Sequence, residues 1–319
     1  MPPRAGVDLG GTKIQIVVVD GRNKVLGQSR VPTPSDGGPK AVVQTISQAV
    51  GAAADEAGLA TDSLIGVGVG APGGIDPDKG LLISPPNLPG FDGEFPLGPE
   101  LEQRLGTRVW LGNDVSVATE AEFKLGAGKP YNSILGVFWG TGVGGGIILD
   151  GKQWTGRGSA GEIGHVVVKI DGDKCPCGRI GCMEAYAGRG AMEAKARHRV
   201  KKGEKTRLFE IMEKRGREKL TSGIWARALA HEDAMALELM DAAIEALGAG
   251  VASCVNVLDP EAVIIGGGLG IRLGEPYAKR IAKAMLPHLF VDENPPEIKV
   301  ATLGDLGGAM GAALLVKTN

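Results

Sequence analysis

The chain has 319 residues, of which 43% are hydrophobic and 23% charged, with a formal net charge of -2. That length fits about two domains, and the composition fits a core-forming globular protein rather than a disordered or fibrous one. The near-neutral balance gives no global pull toward nucleic acid or an anionic membrane surface, and the 52 glycines follow no collagen period.

Residues 5–31 read as strand, turn at Gly10-Gly11, strand, turn at Asp20-Gly21, strand. Val42, Ile46, Ala49, Val50 and Ala53 recur at helical period over 39–57, Leu64–Val69 is a short buried strand, and a Gly/Pro-rich loop is expected over 71–98. A strand at 109–111 leads into Asn113-Asp114 and a helix to about Leu125. Residues 133–150 again read as strand, glycine turn, strand. Helices are expected at 184–200, 205–216, 219–230, 232–257, 275–287 and 306–316, with strands at 262–265 and 297–302. Alternating strands and helices define an α/β architecture. The charged stretch 193–219 reads as a solvated helical face, with a polyanion landing patch as the other reading. The N-terminus carries no signal-type pattern and no run approaches a membrane span, so a cytoplasmic protein without membrane or nucleic-acid partners is expected.

GVDLGGTKIQIVVVDG from Gly6 repeats as GVFWGTGVGGGIILDG from Gly136, aligning Gly6 with Gly136, Gly10 with Gly140 and Asp20 with Asp150. A repeated strand-turn-strand opening each half points to internal duplication. In the first copy Gly10 and Gly11 free backbone N–H groups to face an anion, Thr12 and Lys13 add a hydroxyl and a charge, and Asp8 offers a carboxylate to Mg²⁺. Gly140, Thr141 and Gly142 repeat the device, and Gly266-Gly267-Gly268 after a buried strand leaves room for an adenosine against the backbone. Neither hairpin is a Walker A loop or a GxGxxG fingerprint, which argues against a P-loop NTPase and a dehydrogenase.

His165, Cys175, Cys177 and Cys182 form a His-x9-Cys-x-Cys-x4-Cys array. One imidazole and three thiolates complete a closed tetrahedral zinc set, and closure makes the metal structural. Zinc on one ring nitrogen of His165 leaves the other to donate a hydrogen bond. Cys254 lies in an apolar helix and reads as core. Asp114 reads, from the residues alone, either as a helix N-cap or as a base. Glu162 and Glu184 flank the cluster as solvent-facing charges or as acceptors for sugar hydroxyls, and Asn87 and Gly74 as turn residues or pocket lining.

These residues resemble the ROK family of bacterial sugar kinases and sugar-responsive repressors, within the actin/Hsp70/hexokinase superfamily. The likeness is carried by DLGGTK at 8–13, GVGAPGGID at 68–76, GNDVSVATEAEF at 112–123, GTGVGGGI at 140–147, GSAGEIGH at 158–165, CPCGRIGCMEAYAG at 175–188 and GDLGGAMGAA at 304–313. It is strongest to the family's zinc-containing glucokinases. The resemblance implies a two-domain actin-like (ribonuclease H-like) fold around a cleft, with 1–112 plus 303–319 in a smaller domain and 113–302 in a larger one. It implies ATP with Mg²⁺ as donor, a structural Zn²⁺, a homodimer or homotetramer, and Asp114 as general base for the 6-hydroxyl of D-glucose. Asn113, Glu162, His165 and Glu184 would then hold the sugar, with Asn87 and Gly74 beside them. Two positions depart from the glucokinase pattern: Phe91 stands where Trp is frequent, and Gly188-Arg189-Gly190 where Ser or Thr is common. Both are expected near the sugar. Another hexose or N-acetylated amino sugar as acceptor, and polyphosphate as donor, are the other enzymatic readings. A sugar-sensing repressor is disfavoured because Asp8 already begins the first phosphate motif, leaving no helix-turn-helix.

Overall fold

The computed structural model describes residues 2–85, 88 and 90–317, and the chain divides into two compact units. The first comprises residues 1–129, 153–160 and 302–319, and the second 130–152 and 161–301.

The first unit holds β1 (Arg4–Leu9), β2 (Lys13–Val19), β3 (Val25–Pro32), α1 (Gly38–Glu56), β4 (Val67–Ala71), β5 (Gly74–Asp76), β6 (Leu81–Ile83), β7 (Glu94–Phe95), α2 (Leu97–Leu105), β8 (Val109–Asn113) and α3 (Asp114–Leu125). The second holds β9 (Ile134–Trp139), β10 (Val143–Leu149), β11 (Lys152–Gln153, at its edge), α4 (Glu184–Ala187), α5 (Arg189–Lys201), α6 (Arg207–Lys214), α7 (Ser222–Ala230), α8 (Ala234–Leu258), β12 (Ala262–Gly266), α9 (Gly267–Met285) and β13 (Glu297–Val300). α10 (Gly307–Leu314) returns to the first unit.

The main sheets run β3-β2-β1-β4-β8 and β11-β10-β9-β12-β13. In both, the opening strands are antiparallel, β1 with β2 and β9 with β10. The inner strands then run parallel, β1-β4-β8 and β9-β12-β13. This shared order is the duplication expected from the repeat. The repeat is not rigid, however. Leu9 pairs with Ile14 across four turn residues, whereas Trp139 pairs with Val143 across three. The constant spacing holds through both strands of each hairpin, Lys13–Val19 matching Val143–Leu149, while the pairing between the strands shifts by one residue.

α10 lies on β1 and β4 with no side chain between them. A Cβ at Gly6 would sit 1.9 Å from Ala309 O, and one at Gly68 1.8 Å from Ala312 O. On the far side of the helix, a Cβ at Gly311 would sit 1.9 Å from Val117 O of α3. Only glycine permits such backbone-to-backbone approach. α3 thus packs with the first unit, so the expected boundary at 112/113 falls ahead of a helix that belongs to that unit.

Three further differences from the expected elements have local causes. The stretch 71–98 holds the small antiparallel sheet β5-β6-β7 and the start of α2, strands too short to show a period. The expected helix over 184–200 breaks at Gly188, giving α4 and α5. α9 begins at Gly267 and kinks at Gly274, whose φ of 65° is left-handed, so the expected 275–287 helix is its second segment. α8, with 25 residues and mean hydropathy 1.3, is long and apolar enough to match a membrane span by length and composition. Here it packs against α9, where Gly248 meets Ala284, and against Met183, which Gly250 meets.

Candidate functional site

Each unit places its motifs at the carboxyl ends of parallel strands, where open α/β sheets take up ligands. In the first unit Asp8, Gly70 and Gly112 occupy one row across β1, β4 and β8. The first hairpin closes with Gly10 N–H donating to Lys13 O at 3.0 Å, and Thr33 Oγ1 donates to Gly10 O at 2.6 Å. Burial holds the Asp8 carboxyl above the usual range, with Lys13 opposing the shift and Asp305 adding to it. Lys13 Nζ lies 3.6 Å from Asp305. A Cβ at Gly308 would sit 2.8 Å from the Asp8 carboxyl carbon, so that glycine keeps α10 clear of it. Hard carboxylate oxygens of this kind suit Mg²⁺, and Asp8 could offer one.

At β8 the capping role falls to Asn113, not Asp114. Asn113 Oδ1 accepts from Val115 N–H and Ser116 N–H, both at 3.1 Å, and its Nδ2 donates to Gly73 O at 3.4 Å. Asp114 is the first residue of α3, and its carboxylate accepts from Val115 N–H at 2.9 Å. Gly70 closes on this turn: a Cβ there would meet Asp114 Cα at 3.5 Å. Gly74 opens β5 at the surface, and Asn87 lies outside the described residues.

A buried carboxylate that the sequence reading missed holds this half together. Glu122 Oε2 accepts from Ala127 N–H (2.9 Å), Thr302 N–H (3.1 Å) and Thr302 Oγ1 (3.3 Å), while Oε1 accepts from Leu303 N–H (2.8 Å). It thereby fixes the segment leading into Asp305.

In the second unit the four expected zinc ligands converge. His165 Nδ1 lies 3.8 Å from Cys175 Sγ, Cys177 Sγ lies 3.8 Å from Cys182 Sγ, and all four ligand atoms fall within 4.8 Å of one another. A tetrahedron with Zn–S bonds of about 2.3 Å has S···S edges of about 3.8 Å. The cysteines are free thiols. Two bridges, Val167 with Cys182 and Lys174 with Ile180, fold the loop into a knuckle. Gly181 is obligatory there, with φ of 80° and a Cβ position 1.7 Å from Lys169 O. The Arg179 backbone N–H draws the Cys177 thiol down to about 7, while burial pushes Cys175 up to about 12. Three sulfurs this close cannot all ionise without a cation among them, and the donor set fits zinc.

His165 Nε2 faces away from the sulfurs, 3.9 Å from a Glu162 carboxylate oxygen. Glu184 ties the knuckle to the second hairpin: its Oε2 accepts from Val143 N–H at 2.8 Å and its Oε1 lies 3.9 Å from Cys175 Sγ. A Cβ at Gly142 would strike Glu184 Oε2 at 2.2 Å. The hairpin itself closes through Gly140 N–H to Gly142 O at 2.9 Å. Its other side meets the start of α9: a Cβ at Gly140 would lie 3.9 Å from Gly268 N, and one at Gly267 would meet the Trp139 backbone at 2.6 Å. Thus Gly140–Gly142 and Gly266–Gly268 come together as expected.

Residues 188–190 lie between Glu184 and the second hairpin: a Cβ at Gly188 would sit 3.0 Å from Glu184 Cγ and 3.3 Å from Thr141 O. Arg189 N–H donates to Gly140 O at 3.1 Å and Gly190 N–H to Thr141 O at 2.9 Å. The Arg189 guanidinium donates to Thr141 Oγ1 at 2.8 Å and Ser222 Oγ at 3.0 Å. The segment therefore lies against the phosphate hairpin. The only sequence signal of Arg189 was its departure from the pattern, and Ser222 gave none.

Two duplicated α/β units with glycine hairpins at the strand ends define an actin-like phosphotransferase architecture. The ROK family model matches residues 4–319, and the chain belongs to the ROK family. It is 33% identical over 317 residues to a glucokinase of Thermotoga maritima, covering 98% of this chain and 96% of that protein. It is 34% identical over 329 residues to an N-acetyl-D-glucosamine kinase of Pectobacterium atrosepticum, covering 97% of each. The solved ROK family glucokinase from Streptomyces griseus, in complex with glucose and AMPPNP, superposes with a TM-score of 0.82 at 32% identity, covering 98% of each chain. The two-domain actin-like ATPase fold follows from this likeness.

Proposed function

We propose that this ROK family sugar kinase transfers the γ-phosphoryl group of ATP to the 6-hydroxyl of D-glucose. The observation that carries the reading is the pairing, on one sheet edge of the first unit, of Asp8 beside a phosphate hairpin with Asp114 at the head of α3. Asp114 accepts the hydroxyl proton as the sugar oxygen bonds to phosphorus and the bond to the ADP oxygen breaks. Asn113, fixed by its capping bonds, retains an amide N–H to direct at the sugar. Within the second unit, Glu162 and Glu184 offer acceptors for sugar hydroxyls, with His165 Nε2–H as a donor once Nδ1 is ligated. His165, Cys175, Cys177 and Cys182 would hold zinc, which would fix the aim of that imidazole. Mg²⁺, held through Asp8, would offset charge on the donor phosphates. The hairpins Gly10–Lys13 and Gly140–Gly142 and the Gly266–Gly268 turn take the nucleotide.

Full-length likeness to an N-acetyl-D-glucosamine kinase at comparable identity favours an N-acetylhexosamine as the second acceptor reading. Asp114→Asn tests the chemistry. It should lower kcat at least a hundredfold while leaving the sugar KM within a few fold. Near-normal turnover would refute the base assignment.

A further inference from the structure

The second hairpin has two faces. On one, Val143 N–H engages Glu184, which leads to the zinc knuckle. On the other, Gly140 and Thr141 meet Arg189, Ser222 and Gly268. This second face consists of hydrogen-bond donors. Arg189 spends two of its five N–H groups on the hydroxyls of Thr141 and Ser222. Each hydroxyl accepts from the guanidinium and keeps its own O–H to donate. Gly268 lies against Ser222, with its Cβ position 3.4 Å from Oγ, so only backbone borders the hydroxyl there.

The charge of Arg189 has no counter-ion on this face. No ion pair involving it forms among the described residues. The nearest acidic influence, Glu193, is committed elsewhere, to Arg197 at 2.6 Å and to Leu220 N–H at 2.8 Å. Burial weakens the charged form of Arg189, as expected for a partly desolvated cation without a carboxylate. A cation and two hydroxyls that keep an O–H to donate, beside a glycine turn, match an oxyanion chain with several acceptor oxygens, and a guanidinium fork suits phosphate in particular.

We infer that Arg189, with Thr141 and Ser222, binds the non-transferred phosphates of the nucleotide donor, making it a donor-binding residue rather than a sugar-site residue. The inference rests on the nucleotide-dependent kinase reading above and assigns its donor side.

The test is calorimetric titration of the full-length protein with Mg·ADP, alongside sugar binding followed by tryptophan fluorescence. Arg189→Gln should weaken Mg·ADP at least tenfold, the scale of one charge-assisted hydrogen-bonded contact, with sugar affinity held within twofold. Arg189→Lys, which keeps the charge but loses the fork, should fall between, and it serves if the Gln variant does not fold. Thermal midpoint and zinc content should match wild type. Unchanged Mg·ADP affinity in both variants would overturn the inference, as would a loss of sugar affinity equal to that of ADP. A wild-type protein that binds Mg·ADP through Arg189 yet phosphorylates no sugar would sink the acceptor reading and leave this one standing. Sugar phosphorylation with Arg189-independent ADP binding would do the reverse.

Discussion

Replacing Glu122 by Gln is the sharpest probe of how the first unit supports its half of the site. The side chain is 2% exposed and accepts four hydrogen bonds, three of them from backbone N–H groups of residues 127, 302 and 303. Gln preserves the shape but replaces one acceptor oxygen by an NH₂ donor. In the less costly orientation that NH₂ faces Leu303 N–H, donor against donor, and one bond at 2.8 Å is lost. A charge-assisted bond is worth about 1.5–3 kcal/mol, and a stranded buried donor costs about 1–3 kcal/mol more, so a loss of about 2.5–6 kcal/mol is expected. That is a large share of the about 5–15 kcal/mol that holds a typical domain folded. Urea denaturation of the two proteins measures it. The damage should also reach function: Leu303 leads directly to Asp305, which pairs with Lys13 and lies near Asp8. The KM for ATP should rise while the sugar KM stays close to wild type. A loss below about 1 kcal/mol with an unchanged KM for ATP would refute the reasoning.

Cys177→Ser removes one thiolate from the cluster and should lower bound zinc from about one per chain toward none, raising the sugar KM through His165 with a smaller effect on the KM for ATP. Mass spectrometry of the native protein and steady-state kinetics read both, and a zinc-free variant with unaltered sugar KM would separate the metal from sugar recognition. Zinc retention should fall with acid. Because burial raises the Cys175 thiol to about 12, metal binding must displace its proton, and each fall in pH makes that harder. Dialysis against a chelator should therefore strip zinc faster at pH 5 than at pH 8; equal rates would contradict a thiolate site. Gly311→Ala should destabilise the first unit by several kcal/mol, since its Cβ would lie 1.9 Å from a carbonyl oxygen that belongs to a packed helix; a shift under 1 kcal/mol in the same urea assay would argue against the close packing of α10 on α3.

Much of this molecule was legible where the signal is local. The apolar period of α1, the two glycine hairpins and the zinc spacing lie within short windows, and the structure places them as read. α2 was missed although Leu97, Leu101 and Leu105 mark its buried face, because Gly98 and Pro99 in its first turn read as loop. Pro is tolerated at that point of a helix, where its missing N–H costs no bond. The first segment of α9 was missed for a related reason: its glycines look like a turn, and they are required where Gly267 crosses the Trp139 backbone.

The site residues that escaped notice depend on contacts distant in sequence. Glu122 meets Leu303 across 181 positions, and Arg189 meets Thr141 across 48. No spacing rule reaches that far. The departure at 188–190 was visible, but its meaning required knowing which face of the hairpin the segment covers. The reading of Asp114 as a cap failed on its neighbour: Asn113 supplies the cap, and Asp114 begins α3.

The central claim is most directly tested by coupled ADP release with Mg·ATP over a panel of D-glucose, D-mannose, D-fructose, N-acetyl-D-glucosamine and N-acetyl-D-mannosamine. The account predicts stoichiometric ADP release with the highest kcat/KM for D-glucose, and 6-phosphorylated product by NMR. No sugar-dependent ADP release across the panel would contradict it.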